Sequence, residues 1–167
     1  MLNLIIVFLF LQGCGHKETK NHKAHDYLTV ILELKVEYDD VFEVYFAENI
    51  KNQYNEKDRL GVFVRGKNSF QKVVFRLPQR TYPLKLRIDL GSKGIESPII
   101  LRQIILTTGV RSKIIPMEEL KFYFRLNPYL ELGKNRFMYR KKIDNKYDPY
   151  LISKDLTKTI IELFHDY

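Results

Sequence analysis

Histidine, cysteine and paired acids are the side chains from which a catalytic or metal-binding centre would be built, and this chain places them unevenly. Three of its four histidines, His16, His22 and His25, precede residue 27. His22 and His25, with Glu18 or Asp26, have the donor types of a transition-metal site. They sit in a polar stretch with little to bury, and exposed imidazoles without oriented partners hold metals weakly. No metal site and no cofactor are expected. His165 is the one histidine left for a Ser-His-Asp triad in the body of the chain, and the one cysteine, Cys14, leaves no Cys-His pair there. Asp39/Asp40, Glu118/Glu119 and Asp144/Asp148 offer the two carboxyls that a glycosidase needs, but neighbouring acids are more often turn and surface residues. No catalytic residue is expected.

Residues that could hold a ligand without transforming it are easier to find. Arg87 and Asp89 alternate with apolar neighbours, so they share the polar side of one strand, free to bond a ligand or to pair across strands. Tyr82, Tyr129 and Tyr139 are candidates for stacking on a sugar ring, in a chain that has no tryptophan. Gly91-Ser92-Lys93-Gly94 is rich in glycine but lacks P-loop spacing and leads towards a strand, so a β-turn is expected. The formal net charge is +8, and much of it is local. Lys134, Arg136, Arg140, Lys141, Lys142 and Lys146 face only Asp144, with Phe137, Tyr139 and Tyr147 interleaved. Such a segment is either a solvated cationic loop or a docking surface for anions.

The N-terminus decides which anions matter. Residues 1–13 carry no charged side chain, and residues 4–11 are unbroken hydrocarbon. That run is well short of the roughly 20 residues a membrane-spanning helix needs and has the length of a signal-peptide core. Leu11-Gln12-Gly13-Cys14 follows, and it resembles the lipobox of bacterial lipoproteins. It departs from the common pattern in Gln12, and Met1-Leu2-Asn3 lacks the usual cation. The resemblance implies cleavage after Gly13 and acylation of Cys14, so that membrane lipid becomes a partner. Gly15 at the next position, where Asp would signal retention at the inner membrane, implies an outer-membrane location in a Gram-negative cell. Residues 1–13 are then a signal peptide and 14–26 a solvated tether, leaving 27–167 as one domain. An exported chain meets anionic lipid, phosphorylated glycan or lipopolysaccharide, and no nucleic acid partner is expected.

The elements that position these residues read as strands. Apolar Leu84, Leu86, Ile88 and Leu90 alternate with Lys85, Arg87 and Asp89, which is the period of a half-buried strand. Residues 72–77 and 99–106 flank it as further apolar strands, giving three at the heart of the domain. Residues 27–38 alternate the same way, and a turn at Asp39-Asp40 leads to a second strand through Phe42, Val44 and Phe46, the pattern of a hairpin. A loop is expected over 49–58, strands over 60–64, 120–126, 129–132 and 137–139, and one helical turn at 116–119. Leu156, Ile160, Leu163, Phe164 and Tyr167 have helical spacing, with Ser153 or Asp155 as N-cap.

With its single cysteine outside the body, the domain has no disulfide available, so its apolar core alone must hold it. About seven to nine short strands predict an all-β antiparallel sandwich with a short C-terminal helix. Leu86-Arg87-Ile88-Asp89-Leu90-Gly91, followed after a loop by residues 100–106, resembles the jelly-roll, carbohydrate-binding-module-like domains of bacterial envelope proteins. That resemblance implies a non-catalytic sandwich that binds glycan or an envelope protein. The alternative expectation is a scaffold that docks on anionic envelope surfaces through the basic segment.

Overall fold

The computed structural model describes residues 27–165. Gly13, Cys14 and the tether lie outside the described residues, as does Tyr167. Eleven strands form two antiparallel sheets packed face to face. The first contains β1 (Thr29–Val36), β4 (Lys67–Arg76), β6 (Ile99–Thr107), β7 (Ser112–Pro116), β9 (Leu130–Leu132) and β10 (Phe137–Arg140). Its order is β4-β1-β6-β10-β9, and β7 shares the β10 edge of β6. The second contains β2 (Asp40–Ala47), β3 (Arg59–Val64), β5 (Lys85–Asp89), β8 (Phe124–Leu126) and β11 (Tyr150–Ser153), in the order β3-β2-β5-β11-β8. No described helix is long and apolar enough to cross a membrane.

Alternation puts the core where the sequence places it. Val30, Leu32, Leu34 and Val36 on β1 face Phe42, Val44, Leu86, Ile88 and Leu151 of the second sheet, all buried. The all-β antiparallel sandwich is the observed architecture. Its C-terminal helix is α2 (Thr157–Phe164), which buries Ile160 and Leu163. The N-cap is Leu156, which makes no side-chain cap bond. Asp155, expected as a candidate cap, stands one residue earlier, its Oδ1 accepting from the Thr157 amide at 2.8 Å and from the Thr157 hydroxyl. Ser153 does not cap. It lies in β11, where its Oγ accepts from the Leu86 amide at 2.8 Å.

Strand partners differ from the sequence expectation. The Asp39-Asp40 turn does not close a hairpin, because β1 and β2 belong to different sheets. Instead β1 with β2 pairs against β4 with β3, making one long ribbon that bends from sheet to sheet. The two bends nest: the Gly66 amide donates to Asp39 Oδ1 at 2.7 Å, and a Cβ on Gly66 would stand 2.2 Å from the Glu37 carbonyl oxygen. Nor are the three central apolar stretches neighbours. The strand containing residues 72–76 is an edge, while β5 and β6 occupy the middles of opposite sheets. Periodicity says which side of a strand is apolar and is silent about the strand beside it.

Residues 120–126 are not a single strand. A 3-10 turn over Met117–Glu119 runs into α1 (Leu120–Tyr123), and only Phe124–Leu126 is extended. Leu120 and Phe124 are buried, and a spacing of four suits a helical turn as well as a strand. Phe122 separates the two: it is 73% exposed. Two strands, β7 and β11, have no counterpart in the sequence reading.

Candidate ligand-binding face

The outer face of the second sheet assembles a cluster of polar and aromatic side chains around Arg87. Alternation sends Lys85, Arg87 and Asp89 outward from β5. Register sets Asp89 between Glu43 of β2 and Tyr150 of β11, and Arg87 between Tyr45 and Ile152. Arg87 Nε and Nη2 donate to the two Asp89 carboxylate oxygens at 2.7 and 2.8 Å, a planar bidentate pair within one strand. Nη2 also donates to Asp148 Oδ1 at 2.8 Å. The guanidinium lies 3.8 Å from the Tyr150 ring centroid and 5.4 Å from that of Tyr45.

The loop before β3 closes one side of this cluster. Lys85 Nζ donates to the carbonyls of Ile50 and Asn52 at 3.0 and 3.1 Å and stands 5.0 Å from the Tyr54 centroid. Tyr54 meets Tyr45 edge-on, with centroids 6.5 Å apart. Its hydroxyl is buried without a hydrogen-bond partner, and burial pushes its pKa well above the tyrosine range. Asp89 is raised as well: burial dominates, and the Arg87 bonds offset only part of it. Burial also opposes the Arg87 charge, but the Asp89 bonds and both carboxylates outweigh it and hold Arg87 above its ordinary value.

On the other side of Asp89 the face opens into a cleft of about 270 Å³ lined by Glu43, Ser92, Tyr147, Asp148 and the backbone at Gly91, among others. Its polar lining is rich in acceptors, and Asp148 is half exposed at its mouth. Such a cleft accepts hydrogen bonds from hydroxyl or amine groups. The described residues include no group of three or more acids, histidines or cysteines arranged to hold a metal.

Of the sequence candidates, Arg87 and Asp89 belong together on this face. The three tyrosines do not join them. Tyr82 is in the loop before β5, with its ring edge-on to Phe164 at 4.8 Å in a separate groove that also contains His165. Tyr129 is half-buried in the turn before β9, where its carbonyl accepts from the Lys141 amide. Tyr139 lies on β10 of the other sheet, stacked on Phe137 at 6.1 Å. Tyr45, Tyr54 and Tyr150 were not anticipated. Tyr45 falls on the polar side of the alternation Phe42, Val44, Phe46, which is the one signal that could have located it.

The basic segment is exposed at Lys134, Arg136, Lys141, Lys142 and Lys146. Arg136 pairs with Glu118 at 3.0 Å and Lys141 with Glu131 at 3.7 Å. Arg140 is not part of that surface. It is 7% exposed and donates to the carbonyls of Leu90 at 2.9 Å and Gly94 at 2.7 Å. The carboxyl pairs are also engaged. Asp40 is buried on three backbone amides, Asp39 holds Gly66, Glu118 holds Arg136, and Asp144 occupies a turn at φ 48°.

Comparison with known proteins finds no family model, no curated protein and no solved structure that matches the chain.

Proposed function

We propose that this chain is a lipid-anchored protein of the bacterial cell envelope whose sandwich is a non-catalytic binding module, with glycan as the ligand of the Arg87 face. The anchor rests on Leu11-Gln12-Gly13-Cys14. The ligand rests on one observation: Arg87 donates to both Asp89 and Asp148 at 2.7–2.8 Å between tyrosine rings, at the edge of an acceptor-lined cleft. Locked, planar polar groups lose little freedom when a ligand arrives. Carboxylates accept from sugar hydroxyls, and tyrosine offers an apolar face beside them.

The test is a neutral-glycan array followed by titration calorimetry. Binding should persist between low and physiological salt, because no ion pair forms with a neutral sugar. Asp148→Ala removes an exposed acceptor without opening the core and should weaken binding about tenfold. An array without signal for the wild-type chain overturns the glycan reading. A second reading, docking on anionic envelope surfaces, is favoured by the exposure of Lys134, Arg136, Lys141, Lys142 and Lys146 within one short stretch of chain around β10. Binding to anionic vesicles that collapses with salt and with Lys142→Glu/Lys146→Glu would favour it.

A further inference from the structure

The outer face of the first sheet, on the opposite side of the sandwich from the Arg87 cleft, carries a pattern that a solvated sheet does not need. Val74, Ile31, Ile105 and Ile114 form one row across β4, β1, β6 and β7: Ile31 registers with Val74 and with Ile105, and Ile105 with Ile114. All four point away from the core; the first three are half-buried and Ile114 is 52% exposed. Cations frame the row. Lys72 and Arg76 flank Val74 on β4, and Lys35 lies further along β1. The Glu33 carboxylate in the next row is taken by Arg102 at 2.6 Å and Gln103 at 2.7 Å. Among the described residues no ion pair engages Lys35, Lys67, Lys72 or Arg76.

At the Lys35 end the same face dips into a cavity of about 400 Å³ lined by Lys35, Lys67, Asn68, Ser97 and Ile100. Glu37 also lines it, with its Oε2 accepting from the Ser97 hydroxyl at 2.8 Å. Two ammonium groups and an amide at the rim of an apolar strip suit a phosphate at the level where a headgroup meets acyl chains.

We infer that this face docks on an anionic lipid bilayer, with the Ile31 row against the interface and Lys35, Lys67, Lys72 and Arg76 against lipid phosphates. The occupant follows from charge: an apolar row framed by unpaired cations complements a negative surface that is itself apolar beneath its headgroups. The inference rests on the envelope reading only for bringing the lipid near. Cys14 to Asp26 reaches about 45 Å when extended, which leaves the orientation of the domain open. Docking through the first sheet would turn the Arg87 cleft away from the membrane, towards its ligand.

The chain has no tryptophan, so a single one introduced as Ile114→Trp reports this face alone. Phe63→Trp, at a position 61% exposed on the second sheet, is the control. Full-length chains are mixed with phosphatidylcholine vesicles carrying brominated acyl chains, with and without one third phosphatidylglycerol. Docking predicts a blue shift and at least twofold quenching for Ile114→Trp on the anionic vesicles, little change for Phe63→Trp, and loss of the signal in Lys35→Glu/Lys72→Glu. Vesicle-bound chain with both tryptophans in water overturns docking and leaves the anchor standing. Chain that stays in solution overturns docking too, and a Cys14 without acyl mass then separately removes the anchor. Shielding of Ile114→Trp that grows with protein concentration and needs no lipid also overturns it, because the face would then pair two copies of the chain.

Discussion

Arg140 of the first sheet and Asp40 of the second meet at 3.4 Å, each side chain 4% exposed. Asp40 accepts from the amides of Val41, Ser92 and Lys93 at 2.8, 3.0 and 2.9 Å. Arg140 donates to carbonyls of residues 90 and 94, so the pair and its backbone partners tie the 91–97 loop to both sheets. Two buried charges are tolerated because backbone amides and carbonyls replace water around them. Removing either partner should cost about 3–5 kcal/mol. Urea unfolding of Arg140→Met and Asp40→Asn checks this, and the double variant should cost less than the sum of the two. Additive losses would mean that the charges do not act as a pair.

The bend of the ribbon leaves no space beside Gly66, where a Cβ would lie 2.2 Å from a backbone oxygen. Gly66→Ala should destabilise by more than about 2 kcal/mol. Gly61→Ala on β3, where the nearest atom is 3.7 Å away, is the matched control and should be near neutral.

Core and surface divide differently from the alternation over 120–126. Ile88, fully buried between the sheets, should cost about 2–5 kcal/mol as Ile88→Ala. Phe122→Ala should stay within about 0.5 kcal/mol, since its ring is in solvent. Thermal melts of the two variants side by side decide it.

Asp155 stands just before α2, and the Thr157 hydroxyl and amide hold its carboxyl below the usual aspartate range. A lowered carboxyl stabilises the fold above its unfolded pKa and loses that contribution as pH falls through the folded value. Stability of the wild-type chain should therefore decline below about pH 4 more steeply than that of Asp155→Ala. Parallel slopes in chemical denaturation at pH 3 and pH 6 would contradict that contribution.

For the anchor, intact mass of the chain purified from membranes should correspond to a start at Cys14 plus acyl chains. Two or three chains, at roughly 0.8 kcal/mol per buried CH₂, bind a bilayer durably, and Cys14→Ser should release the protein. An unmodified Met1 start refutes the lipobox reading.

What the sequence determined by itself is local. Alternation at β1, β2 and β5 assigns each residue to core or solvent, because neighbouring side chains on a strand must point to opposite faces. It put Arg87 and Asp89 on one polar side, and helical spacing located α2. The tertiary structure decided everything that depends on who sits next to whom. Tyr45 and Tyr150 reach Arg87 from the two neighbouring strands, and Tyr54 reaches Tyr45 and Lys85 from a loop. Arg140 reads as one more cation in a basic run, yet its acceptors are Leu90, Gly94 and Asp40, 50, 46 and 100 residues away in the chain. A charge is driven to the surface unless such acceptors converge on it, and only the packing of two sheets brings them there.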